Sequence, residues 1–149
     1  MDIHITNFVE GAQQATGLAV IIDVFRAFSV ACYVAARQPE RIIPVEDVEQ
    51  ARALQGHYGD ALLIGEREGR RVPGFGYGNS PTEIVGVDFS GRTVIHTTSN
   101  GTRGLVNATA ADEVITGSFV NAQAIVEDNL TIFSDQSSPV DVTIEMSRP

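Results

Sequence analysis

Between Thr97 and Gly104 the chain reads TTSNGTRG, directly behind the short apolar run Val94-Ile95. Hydroxyls, one amide, flexible backbone N–H groups and a fixed positive charge fall within a single loop. Arg103 is the charge, and a guanidinium holds oxyanions with a rigid fork of donors. That chemistry suits a phosphate group, with Thr98, Asn100, Gly101, Thr102 and Arg103 as the candidate contacts. A plainer reading also stands: Asn100 or Thr102 caps a helix beginning near Arg103. The two are compatible, because N–H groups at a helix start attract anions.

Three further polar groups sit at the same kind of place, immediately after an apolar run. Asp23 and Arg26 follow LAVII, Glu66 and Arg67 follow ALLIG, and Ser118 and Asn121 follow EVITG. Asp23 serves either as a helix cap or as a catalytic or metal-binding carboxylate. Glu66 and Arg67 form either a surface ion pair or part of a site, and Ser118 reads equally as an N-cap. Arg70 and Arg71 add charge beside the same glycine-rich stretch. His4, His57 and His96 show no metal-ligand spacing; His96 at a strand end is within reach of the site, but a core or edge position is the expectation. Asp23-Val24-Phe25 lacks the second Asp of an aspartyl-phosphate phosphatase. Cys32 and Arg37 are wrongly spaced for a cysteine-phosphatase loop. GFGYG follows no strand, so it is not a dinucleotide fingerprint, and no Walker-type Gly-Lys-Ser/Thr occurs.

These groups can meet only if the elements carrying them run in one direction. Apolar, β-branched runs recur at 18–24, 41–45, 61–65, 92–98, 113–117 and 129–133. They are continuous rather than alternating, as strands buried on both faces are. Helical patterns separate them: AFSVACYVAARQ, VEDVEQARALQGHYG, TRGLVNATAADE and NAQAIVED. Such alternation predicts an α/β domain over 1–149, a mostly parallel sheet with helices on both faces. In that architecture the polar groups converge on the carboxyl edge, where open parallel sheets bind ligands. The stretch from Glu66 to Gly91 is too rich in Gly and Pro for a regular helix, apart from a short turn starting near Asn79-Ser80-Pro81. A structureless loop of that length inside a compact domain is usually either functional or misassigned. One more strand is expected after Ser134.

Composition narrows the class. The chain has 149 residues, 43% of them hydrophobic, enough for a globular core. A net charge of −9 with no lysine argues against nonspecific nucleic-acid binding, which needs a basic surface. No apolar run has membrane-spanning length, the start MDIHITNF lacks a signal core, and the single cysteine fits a reducing compartment. A cytoplasmic protein that binds neither membrane nor nucleic acid is expected; homo-oligomer formation is left open.

Taken in order, IIDVFRAFS, LLIGEREGRRVPGFGYGNSP, VIHTTSNGTRGL and GSFVNA resemble the 2-phosphosulfolactate phosphatase family. Its members carry an Asp-Val-Leu-Arg-Ala-Thr-like segment, a Gly-Glu-Arg, a Pro-Gly-Phe-Asp-x-Gly-Asn-Ser-Pro, a Thr-Thr-Asn-Gly-Thr-Arg and a Ser-Phe-x-Asn-Ala. The match runs in register from about Ile21 to Ala122. It implies a magnesium-dependent phosphomonoesterase acting on a small phosphorylated acid such as (R)-2-phospho-3-sulfolactate, in coenzyme M synthesis. Asp23 and Glu66 would then hold Mg²⁺, with Asp23, Asn100 and Arg103 at the chemistry. Arg26, Arg67, Asn79, Ser80, Thr98, Gly101, Thr102, Ser118 and Asn121 would contact the substrate. Phe25, Phe28 and Gly76 depart from the pattern, replacing a Leu, a Thr and an Asp, and family members continue well past this chain. The alternative expectation is a non-catalytic anion- or metabolite-binding domain of the same descent.

Overall fold

A computed structural model describes residues 3–127 and the strand 142–146. The strands are β1 (Ile3–Asn7), β2 (Leu18–Ile22), β3 (Arg41–Pro44), β4 (Leu62–Arg67), β5 (Arg70–Arg71), β6 (Thr93–Thr97), β7 (Glu113–Gly117) and β8 (Val142–Met146). The helices are α1 (Phe8–Gln14), α2 (Ala27–Ala35), α3 (Val48–Tyr58), α4 (Pro81–Ile84) and α5 (Gly101–Asn107), with a further helical segment over 122–127. Five of the expected strands and the one expected after Ser134 are present; the run at 129–133 lies outside the described residues.

The α/β reading holds, with one change of plan. The strands form two four-stranded sheets, ordered β1-β8-β2-β7 and β3-β6-β4-β5, rather than one continuous sheet. Every pairing is parallel except β4 with β5, a tight hairpin pairing Glu66 with Arg71 and Arg67 with Arg70. The central strand β6 is buried at all five positions, which is why its sequence shows no alternation.

Helix α2 stands between the sheets. Ala27 and Phe28 pack with Ile21 of β2 and with Ala12 and Ala15, while Val30 and Val34 pack with Ile64 and Val94 of the second sheet. A helix with so wide an apolar arc has little polar face left, as AFSVACYVA announces. On the opposite face of the second sheet, α3 contributes Ala51 to a cluster with Val45, Leu63 and Ile95. Its start is fixed by Asp47, whose carboxylate accepts from Gln50 N at 2.7 Å.

The glycine-rich stretch is anchored rather than loose. Phe75 packs into the α3-side cluster and Phe89 into the α2-side one, where it meets Tyr77 edge-to-face at 5.9 Å. Burying an aromatic of that size contributes roughly 1.5–3 kcal/mol. Gly65 admits Phe75: a β-carbon there would lie 2.6 Å from Thr97 O and 2.9 Å from the Phe75 ring. Among the described residues no helix is long and apolar enough to cross a membrane.

Candidate functional site

Each strand that ends in a polar group delivers it to the carboxyl side. Asp23 follows β2, is 7% exposed, and accepts from Ala27 N at 3.3 Å through Oδ1. Its own N–H donates to Gly117 O at the end of β7, so the two strand ends are tied together. The first turn of α5 presses against this carboxylate. A β-carbon on Gly101 would sit 2.6 Å from Asp23 Oδ2 and 2.7 Å from the Ala27 β-carbon. Thus the Asp23 turn of one sheet and the Thr98–Arg103 loop of the other meet, as the parallel reading requires.

Within that loop the hydroxyls act on the loop itself. Thr98 Oγ1 accepts from Thr102 N at 3.1 Å, and Thr102 Oγ1 accepts from Thr98 N at 2.8 Å. Asn100 occupies the N-cap position of α5 but makes no side-chain cap bond; its carbonyl accepts from Gly104 N. The helix begins at Gly101, two residues before the expected start. Ser99 N donates to Glu66 Oε1 at 2.7 Å, and Ser99 Oγ and Gly69 N donate to Oε2 at 3.2 and 2.8 Å. Glu66, 8% exposed, therefore clamps the β4–β5 hairpin to the loop and uses three of its roughly four acceptor sites.

The arginines divide. Arg67 spans β4 and β6, donating to Glu66 O at 2.7 Å, Thr97 Oγ1 at 2.9 Å and Glu46 O at 3.2 Å. Arg103 lies 3.5 Å from the Glu46 carboxylate and is 45% exposed. Arg67, Ser99, Arg103, Glu46 and Asp47 line one open cavity of about 400 Å³. Arg26 occupies the N-cap position of α2, two-stepped from Asp23 by the turn, and is partly buried.

At the end of β7, Asn121 Oδ1 accepts from Ser118 N at 2.8 Å and from Ser118 Oγ at 3.1 Å, while its Nδ2 donates to Thr116 O. Ser118 and Asn121 thus close their own turn, and Asn121 rather than Ser118 leads into the 122–127 helical segment. Ser80 bonds Thr82 Oγ1 at 2.9 Å within the α4 turn. Asn79 is 7% exposed and its Oδ1 has no hydrogen-bond partner. Residues the sequence reading passed over are Glu46, which meets both Arg67 and Arg103, and Ser99, which meets Glu66. Glu46 lies one residue beyond β3, directly after the apolar run 41–45, so the same strand-end rule could have found it. His96 is 3% exposed, and burial pushes its pKa down to about 4 against an opposing pull from Glu66.

A parallel α/β domain with its polar loops gathered at the strand carboxyl ends is the class these features define. A model of the 2-phosphosulpholactate phosphatase family matches residues 3–146, and the chain belongs to that family. Among its relatives, a protein of Carboxydothermus hydrogenoformans named "Probable 2-phosphosulfolactate phosphatase" is 39% identical over 128 residues, 85% of this chain and 53% of the relative. Proteins of the same name from Caldicellulosiruptor saccharolyticus and Thermotoga maritima are 41% and 38% identical, each over 109 residues, 73% of this chain and 45% and 47% of theirs. The chain spans about half the length of the curated relatives it matches.

Proposed function

We propose that this chain provides the phosphate-binding part of a magnesium-dependent phosphomonoesterase whose substrate is a small phosphorylated acid such as (R)-2-phospho-3-sulfolactate. The observation that carries the reading is the apposition of the buried Asp23 carboxylate to the first turn of α5. Family membership and the relatives' names support the reaction class. The donor set suits Mg²⁺, which prefers oxygen and takes one or two carboxylates while keeping waters. Asp23 and Glu66 supply buried carboxylates. Asp23 is the first candidate ligand, being the carboxylate pressed against the first turn of α5. When bound, the ion would offset phosphoryl charge and acidify a coordinated water.

The chain's own groups then have distinct tasks. Thr98, Ser99 and Thr102 commit their N–H groups within the protein and so fix the loop's shape before substrate arrives. Positive charge for the phosphoryl oxygens and for the substrate's acid group comes from Arg26, Arg103 and the donors of Arg67 beyond its three backbone and hydroxyl bonds. Water adds to phosphorus as the ester oxygen leaves with the bonding pair, and that oxygen takes up a proton. Release of inorganic phosphate from a panel of phosphorylated 2-hydroxy acids, with and without Mg²⁺, tests the proposal. Magnesium-dependent release is the expected result; none from any member of the panel would overturn it.

A further inference from the structure

Beside the Thr98–Arg103 loop, and sharing Thr102 with it, lies a cavity of about 590 Å³, within the range of small-molecule sites. Its walls come from α2 (Phe28), the β3 edge of one sheet (Ile42) and the β7 edge of the other (Ile115), with His96, Thr102, Thr116 and Asn121 as polar points. Among the described residues no Asp, Glu or Arg lines it, although such residues number 29 in the chain, 19 acidic and 10 basic. Anions are therefore poor occupants. His96 is an independent pointer. It lines the cavity, is 3% exposed, and its Nε2 has no hydrogen-bond partner. A buried polar atom left unpaired costs about 1–3 kcal/mol of desolvation, so such atoms generally have a partner.

We propose that this cavity binds a small, uncharged molecule with an apolar body and one hydrogen-bonding group, which pairs with His96. Apolar walls favour such an occupant over a cluster of waters, and the orphaned nitrogen favours one with a polar end over a plain hydrocarbon. The site borders the phosphate loop at Thr102 but shares no charged group with it, and its pairing group, His96, has no part in the phosphatase reading. Failure of phosphatase activity therefore leaves it standing, and its own failure leaves the phosphatase reading standing.

Cys32, the chain's single cysteine and partly exposed, reports on occupancy through its rate of alkylation by N-ethylmaleimide. The probes are 4-methylphenol and toluene, which differ by one hydroxyl. Both should slow alkylation saturably, and 4-methylphenol should do so at about fivefold lower concentration, the ratio one neutral hydrogen bond gives. His96→Phe should abolish that preference, whereas His96→Gln should keep it. Ala35→Phe, at the cavity wall and on the exposed side of α2, should abolish protection by both probes. The Gln and Ala35 variants keep the test decisive if His96→Phe does not fold. Absence of saturable protection, or the same preference in folded His96→Phe, would overturn the proposal. So would protection that rises with protein concentration alone and tracks dimer formation in sedimentation, since a second copy would then fill the cavity.

Discussion

Gly101 and Asp23 are in contact across the two sheets, with no room for a β-carbon between them. The helix following β6 can approach the turn following β2 only because residue 101 has no side chain. Gly101→Ala would place a methyl 2.6 Å from Asp23 Oδ2 and 2.7 Å from the Ala27 β-carbon. Overpacking of this kind costs about 1–3 kcal/mol. Urea unfolding should show that loss, and phosphate affinity should fall with it as the loop moves away. An alanine variant as stable as the parent would mean that the contact relaxes freely.

Asp23 itself should matter for chemistry rather than for folding. Asp23→Asn keeps the volume and the oxygen that accepts from Ala27 N but loses the charge a hard cation requires. Stability should change by no more than about 1 kcal/mol, while magnesium-dependent turnover falls by orders of magnitude. Melting curves with and without Mg²⁺, beside hydrolysis rates, make the comparison. Normal hydrolysis by the variant would leave Asp23 as a cap only.

Arg103→Ala should weaken phosphate binding by about 1.5–3 kcal/mol, the range for hydrogen bonds to charged groups. Arg103→Lys should recover part of it, because a point charge does not reproduce a bidentate fork. The Glu46 partner is half-exposed, so breaking that pair should leave stability nearly unchanged. Titration calorimetry with inorganic phosphate separates the three proteins; equal affinities would remove Arg103 from the site.

His96 should shape the acid limb of stability. Burial lowers its folded pKa from the usual 6.5 to about 4, so the unfolded chain binds the extra proton first. Stability is full above pH 6.5 and falls as pH drops from there towards 4. The loss is on the order of 3 kcal/mol at the bottom of that window, at about 1.4 kcal/mol per pKa unit. Urea midpoints across pH 4–7 should show a shallower decline for His96→Gln than for the parent. Parallel curves would place the acid sensitivity in the carboxylates.

Much of this architecture was legible because buried parallel strands write continuous apolar runs. LAVII and TVIHT announced themselves that way and EVITG as a half-buried edge run, and the polar residue after each gave the site its address. β1 was not read, since IHITN is an edge strand with most positions exposed and carries no such run. α1 was hidden by Gly11, where a β-carbon would strike Thr6; a mid-helix glycine lowers propensity. The insertion of β8 between β1 and β2, and the grouping of the described strands into two sheets, are set by long-range pairing that no local pattern encodes. Within the site, residue types were evident but allegiances were not. The sequence shows that Thr98, Glu66 and Asn121 are polar, and only the fold shows that each is bonded to its neighbours in the loops.

Helix α2 gives the molecule a property that neither sheet has alone. Phe28 belongs to one core and Val30 and Val34 to the other, two residues apart on the same nine-residue helix. Neither core can melt without exposing part of this shared element, so the sheets are coupled into one cooperative unit. Amide protons of β2 and β6, on opposite sides of the helix, would then exchange with solvent through a common opening event.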